Sequence, residues 1–232
     1  MKILSPLQPQ PMQIPKITAP HDLRAKDVPQ LFLTLGVAYH EVACVDWPEG
    51  YPYCPKMQVA LAHAGDRLLV HYRVSERCIR AAAPADGGHV WEDSCCELFL
   101  QPVEGGPYYH FECNCGGTLL LAAGEGRNNR QPATKELMQQ VDRWSSLAPE
   151  AKGGGTLIAL DNGDHSWHMA LIIPAVALFQ SNVATFDGCH MRGNIYKCGD
   201  ALSVPHFLSF YPISTPQPDF HRPEFFQELC FA

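Results

Sequence analysis

Apolar and polar positions alternate with a period of two through much of this chain, which is the signature of half-buried β-strands. Leu68, Val70, Tyr72 and Val74 fall on one face of a run, with His71, Arg73 and Ser75 on the other. In residues 94–101, Cys96, Leu98 and Leu100 oppose Cys95, Glu97 and Phe99. In residues 108–115, Tyr109, Phe111, Cys113 and Cys115 oppose His110, Glu112 and Asn114. The turn signal PVEGGP joins these last two runs and predicts an antiparallel hairpin. Residues 156–161 and 165–173, joined by DNGD, predict a second hairpin, and 190–197 and 227–231 read as the last strands.

Helical periodicity is scarce. It predicts one helix at 134–141, with Thr134 as N-cap, and a brief one at 174–180. Twenty prolines and eighteen glycines cut the chain into short segments. Many short strands with frequent turns predict an all-β fold, an antiparallel β-sandwich with one or two short helices. Residues 1–44 read as an irregular, Pro-rich leader wrapping the outside, and 45–232 as one sandwich domain.

At 232 residues the chain is long enough for a full core, and its apolar fraction is ordinary. The formal charge of −7 argues against a nucleic-acid partner. No apolar run has the length of a membrane span. The start, MKILSPLQPQPMQIPK, has no continuous apolar stretch and reads as a leader, not a signal peptide. Ten cysteines, most of them inside apolar runs, read as buried reduced thiols. A cytoplasmic location is therefore expected, or a secreted one if a native signal has been removed.

The polar faces hold the candidate chemistry. Glu97, His110, Glu112 and Asn114 share one face of the first hairpin, and Arg192, Asn194 and Tyr196 share a face of a later strand. Joined, they would present carboxylates, amides and a guanidinium beside Trp91, a mixture suited to sugar hydroxyls and the apolar side of a sugar ring. Cys113-x-Cys115 is not the usual zinc knuckle and reads as two buried thiols. Asp161, Asn162 and Asp164 are candidate calcium donors, with a turn as the competing explanation. No nucleophile motif or phosphate-cradling loop occurs, so no catalytic residue, metal ligand or cofactor is assigned. The tail PDFHRPEFF, bracketed by Pro218 and Pro223, reads as a latch that closes the sandwich, with ligand contact by Asp219, His221 and Arg222 as the alternative.

VWEDSCCELFLQP, YYHFECNCGGTLLLA, RGNIYKCGD, HFLSFYPI and PDFHRPEFF together resemble the family 9-like carbohydrate-binding domains, relatives of the xylanase family 9 modules in the DOMON-like superfamily. The resemblance runs from about Val45 to the C-terminus. It implies a jelly-roll-type sandwich that binds a mono- or oligosaccharide without cleaving it, between two aromatic rings and among charged and amide side chains. Trp91 matches the first ring, Glu97 the carboxylate of the next strand and Asn194 the late-strand asparagine. Lys197 stands where those modules have their second tryptophan, which implies an anionic sugar or a substitute ring at Tyr196. The modules also carry structural calcium.

The expected ligand residues are thus Trp91, Glu97, Asn114, Arg192, Asn194, Tyr196 and Lys197. The expected partner is a carbohydrate, with neither nucleic acid nor membrane. Two alternatives remain at this point. One is a glycoside hydrolase using Glu97 with Glu92 or Glu112. The other is an intracellular sandwich domain for a non-sugar ligand or a protein.

Overall fold

The computed structural model describes residues 10–148, 150 and 156–232. The first nine residues of the expected leader and the Gly153–Gly155 run lie outside the described residues. Two sheets pack face to face. The larger has eight strands. Its order is Met12–Ile14, Gln227–Phe231, His190–Cys198, Cys95–Gln101, Tyr108–Asn114, Leu119–Gly124 and Gln131–Pro132, with Phe207–Ser209 paired to His190–Cys198 off this path. The smaller runs Asp142–Ser145, His165–Pro174, Arg67–Glu76, Lys56–His63 and His40–Glu41. The chain is the expected all-β sandwich, antiparallel except at one edge, where Met12–Ile14 runs parallel to Gln227–Phe231.

The period of two reports the inner faces correctly. Leu68, Val70, Tyr72 and Val74 meet Cys96, Leu98, Leu100, Tyr109, Phe111 and Cys113 in one core between the sheets. The expected hairpin of Cys95–Gln101 with Tyr108–Asn114 forms, Cys95 opposite Asn114 and Leu100 opposite Tyr109. The second expected hairpin does not. Ile158–Leu160 pairs with Ile79–Ala81, and His165–Pro174 pairs with Arg67–Glu76. A strong turn therefore joins strands of different sheets. The helix around 135 is the single turn Lys135–Met138, with Thr134 Oγ1 accepting from Leu137 N. The one near 175 is a 3-10 turn, Ala175–Ala177.

Outer faces depart from simple alternation because both sheets are covered. Residues 10–44 are more regular than the expected leader. They hold the strand Met12–Ile14 and the helix Val28–Leu35, which has Pro at its start and the left-handed Gly36 (φ 67°) at its end. Val28 and Phe32 of that helix pack on Ala60, Ala62, Leu69, Ala170 and Ile172. His71 and Arg73, on the face of Arg67–Glu76 opposite Val70 and Tyr72, lie under Tyr39. Its hydroxyl meets His71 Nδ1 at 2.5 Å, and its ring lies 3.7 Å from the Arg73 guanidinium. Among the described residues no helix is long and apolar enough to cross a membrane.

Candidate functional site

The outer face of the large sheet is also covered, and a cavity opens under the cover. Cys95, Phe99, Tyr108, Tyr196 and Cys198 point outward from the sheet into a second apolar cluster with Trp47, Ile213, Phe220 and Phe226. The cover is the segment from Gly199 to Phe226, tied down by buried polar contacts. Asn194 Nδ2 donates to Tyr211 O, and its Oδ1 accepts from Tyr211 N. Asp46 accepts from Ser209 Oγ and Ile213 N, and Trp47 Nε1 donates to Thr215 O. Tyr196 Oη donates to Phe220 O while the two rings stack, centroids 4.1 Å apart.

The cavity holds about 420 Å³ and is lined by Tyr51, Trp91, Glu97, Glu112, Arg127, Arg130, Cys198, Asp200, Phe207, Gln217, Pro218, Asp219, Phe220 and His221. Its floor is the predicted hairpin, where Glu97 and Glu112 stand opposite one another. Its wall includes Trp91, on a 3-10 turn (Val90–Glu92), with His89 stacked on the indole at 4.5 Å. Asp200 N donates to Trp91 O, which joins that turn to the cover. Arg127 Nη2 donates to Asp219 Oδ1 at 3.0 Å.

Arg130 is held differently. Its Nη1 donates to His110 Nε2 and to His221 Nε2, both at 3.1 Å. A guanidinium only donates, so both nitrogens accept. His221 then carries its proton on Nδ1 and donates to Tyr108 Oη at 2.8 Å. Burial and the adjacent Arg130 charge push the His221 pKa down to about 2. His110 Nδ1 lies 2.6 Å from Glu112 Oε1, in contact though not aligned as a good hydrogen bond.

The carboxyls shift the other way. Burial, then the charge of Glu112, hold the Glu97 carboxyl well above its ordinary range. Burial, then Glu112, raise Asp200 to about 6. The Cys198 thiol, pushed up mainly by burial, donates to Glu97 Oε1 at 3.0 Å. Neutral carboxyls offer both a donor and an acceptor, while the guanidinium groups offer donors only.

Of the seven residues expected from sequence, Trp91 and Glu97 line the cavity. The other five do not. Asn114 is buried beneath the Trp91 turn, its Nδ2 donating to Asp93 and its Oδ1 accepting from Gly116 N and Thr118 N. Asn194 pins Tyr211, as above, and Tyr196 supports Phe220 from below. Arg192 donates to Phe226 O and Glu104. Lys197 points the opposite way, between the sheets. Its Nζ lies 2.9 Å from Glu76 Oε2 and 2.8 Å from His206 Nε2, with both side chains of the ion pair fully buried. Alternation contains this signal: three residues after Asn194, Lys197 must face the other side of the strand.

The tail PDFHRPEFF both latches and lines. Asp219, Phe220 and His221 face the cavity, whereas Arg222 pairs with Glu224. Tyr51, Arg127, Arg130, Asp200 and Phe207 were not assigned from sequence. Most of them lie outside regular strands, where no periodicity reports a shared face.

Around Asp161, Asn162 and Asp164 the chain makes a turn, with Asn162 left-handed (φ 43°) and Gly163 N donating to Arg77 O. Cys113 and Cys115 diverge, toward Met169 Sδ and Arg80 O respectively. The clusters that gather three His, Cys, Asp or Glu donors among the described residues are Cys95–Glu97–Cys198 and His190–Glu228–Cys230. Both include a thiol, so neither is the all-oxygen set that calcium requires.

The model of carbohydrate-binding family 9 matches residues 26–231, beginning before the Val45 boundary expected from sequence. A crystal structure of a candidate carbohydrate-binding protein from Bacteroides uniformis is similar at 40% identity, with a TM-score of 0.90 over 96% of this chain and 99% of that one. A family 9 module from Caldicellulosiruptor kristjanssonii is similar at 10% identity in two complexes. With glucose the TM-score is 0.54 over 96% of each chain; with cellotriose it is 0.58 over 96% of this chain and 93% of that one. At that identity the likeness shows the fold alone. No curated protein matches the chain.

Proposed function

The chain belongs to carbohydrate-binding family 9, and on that premise we propose that the cavity above Glu97 and Glu112 holds its mono- or oligosaccharide, without cleaving it. The observation that carries this is the pairing of an aromatic wall with a polar floor. Trp91, Tyr51, Phe207 and Phe220 surround the opposed carboxyls of Glu97 and Glu112. Flat rings suit the apolar side of a sugar, and carboxyl and guanidinium groups suit its hydroxyls. The volume lies within the roughly 300–1,000 Å³ of small-molecule sites. Tyr51, Phe207 and Phe220 are the candidates for the second ring that Lys197 cannot supply.

Calorimetry with glucose and cellotriose, the sugars held by the Caldicellulosiruptor module, tests the site. Trp91→Ala is expected to weaken binding about ten-fold or more. Arg192→Ala, outside the cavity, should leave it within about two-fold. Equal affinity in wild type and Trp91→Ala would remove the cavity from this role, and failure to bind any sugar would remove the function. All ten cysteines are free, which favours a reducing compartment such as the cytoplasm. Fractionation that recovers the native protein outside the cell would overturn that location.

A further inference from the structure

Cys95, Glu97 and Cys198 form a compact donor set at the bottom of the cavity. Cys95 and Glu97 are two apart on one strand and so share a face, and Cys198 stands opposite Cys95 on the neighbouring strand. Their sulfur and oxygen atoms all lie within 4.8 Å of one another, and all three residues are buried. Around a tetrahedral zinc ion, with bonds of about 2.3 Å to sulfur and 2.0 Å to oxygen, neighbouring donors sit about 3.5–3.8 Å apart. Cys198 Sγ and Glu97 Oε1, now 3.0 Å apart, separate by about half an ångström to reach that spacing, and the other donor distances, none above 4.8 Å, adjust to it. Two of the three, Glu97 and Cys198, line the cavity, which gives an ion a path in and leaves its fourth position facing the open space.

We propose that Cys95, Glu97 and Cys198 bind one thiophilic divalent cation of the zinc class, with its fourth site open to the cavity. Two thiolates and a carboxylate are a soft, three-ligand set of the kind zinc accepts, unlike an all-oxygen site. Binding replaces the protons of the two thiols, and of the Glu97 carboxyl where it is protonated, by metal bonds. No redox step is involved. A water or a sugar hydroxyl can then complete the coordination. Metal binding by this set does not depend on sugar binding.

The test uses the full chain, freed of metal with a chelator and kept reduced with a phosphine. Cobalt(II) is titrated in without sugar. One equivalent is expected to give thiolate-to-cobalt charge-transfer absorption that zinc abolishes, with release of about two to three protons per ion. Cys95→Ser and Cys198→Ser should lose that absorption. Cys230→Ser, which disables the His190–Glu228–Cys230 cluster at the surface, where Cys230 is half-buried, should keep it. Glu97→Gln leaves both thiols in place and should keep the absorption while weakening binding about ten-fold. If the serine variants do not fold, proton release in the wild type and the Glu97→Gln shift decide. Absence of the absorption and proton release in wild type, their loss in Cys230→Ser, or unchanged affinity in Glu97→Gln would overturn the proposal. A Cys95–Cys198 disulfide recovered under these reducing conditions would also overturn it. A protein that binds cobalt this way yet binds no sugar would refute only the sugar reading.

Discussion

Glu97 and Glu112 face each other directly across two antiparallel strands, and both are 3% exposed. Like charges so placed repel, and burial adds to the cost of ionising either. Glu97 is the carboxyl held above its ordinary range. As pH climbs from that ordinary range toward the raised one, unfolding lets Glu97 lose a proton that the folded protein keeps, so stability falls. In chelator-treated protein, Glu97→Gln is therefore expected to match wild type near pH 4 and to exceed it at pH 7.5 by at least about 1 kcal/mol. Urea unfolding at the two values measures this. A variant less stable than wild type at pH 7.5 would mean that the carboxylate is ionised and satisfied.

Lys197 gives the second prediction. Burial opposes its charge, but Glu76 and then Cys96 outweigh burial and hold the ammonium above its ordinary range. The pair joins the two sheets, with Trp167 Nε1 donating to the other Glu76 oxygen at 2.7 Å. Lys197→Met leaves Glu76 buried without its cation and should cost about 3–5 kcal/mol. Adding Glu76→Gln should recover a large part of that loss. Denaturant unfolding of the single and double variants checks it. A stable Lys197→Met that had lost sugar affinity would instead return Lys197 to the ligand.

His221 is neutral in the fold, its pKa lowered to about 2 by burial and then by Arg130. Because an unfolded histidine protonates near 6.5, this group favours unfolding progressively as pH falls from about 6.5 toward 2. His221→Gln should remove one proton from that dependence, flattening it by up to about 1.4 kcal/mol per pH unit. Unfolding free energies between pH 6.5 and 4 would show the change. An unaltered slope would contradict a neutral His221.

Gly193 sits where two strands and a side chain come close. A Cβ there would overlap Phe99 O and lie 2.7 Å from Leu229 Cδ1. Gly193→Ala forces the backbone of the floor strand to move and should cost about 1–3 kcal/mol. A thermal melt of the variant that matched wild type would show that the strands can separate there freely.

How much of this was legible in the sequence depends on strand geometry. Glu97, Glu112 and their shared face follow from a period of two in a hairpin whose turn is visible. The resemblance matches Lys197 by position to a ring, whereas alternation points it into the core, where it pairs with Glu76. The DNGD turn misled because a good turn does not say which sheet the next strand joins. The cavity cover could not be derived. Asp200, Asp219 and His221 lie in irregular chain, and Tyr51, Arg127 and Arg130 come from distant loops. Only tertiary packing brings those residues over Glu97. The helix Val28–Leu35 was hidden by the prolines that precede it, although Pro29 at its first turn is compatible with a helix start.

A crystal structure of the protein with cellotriose tests the sugar site most directly. Sugar is expected in the cavity, with a ring against Trp91 and hydroxyls within hydrogen-bonding distance of Glu97 or Glu112. Sugar bound at full occupancy elsewhere, with this cavity holding only water, would contradict it.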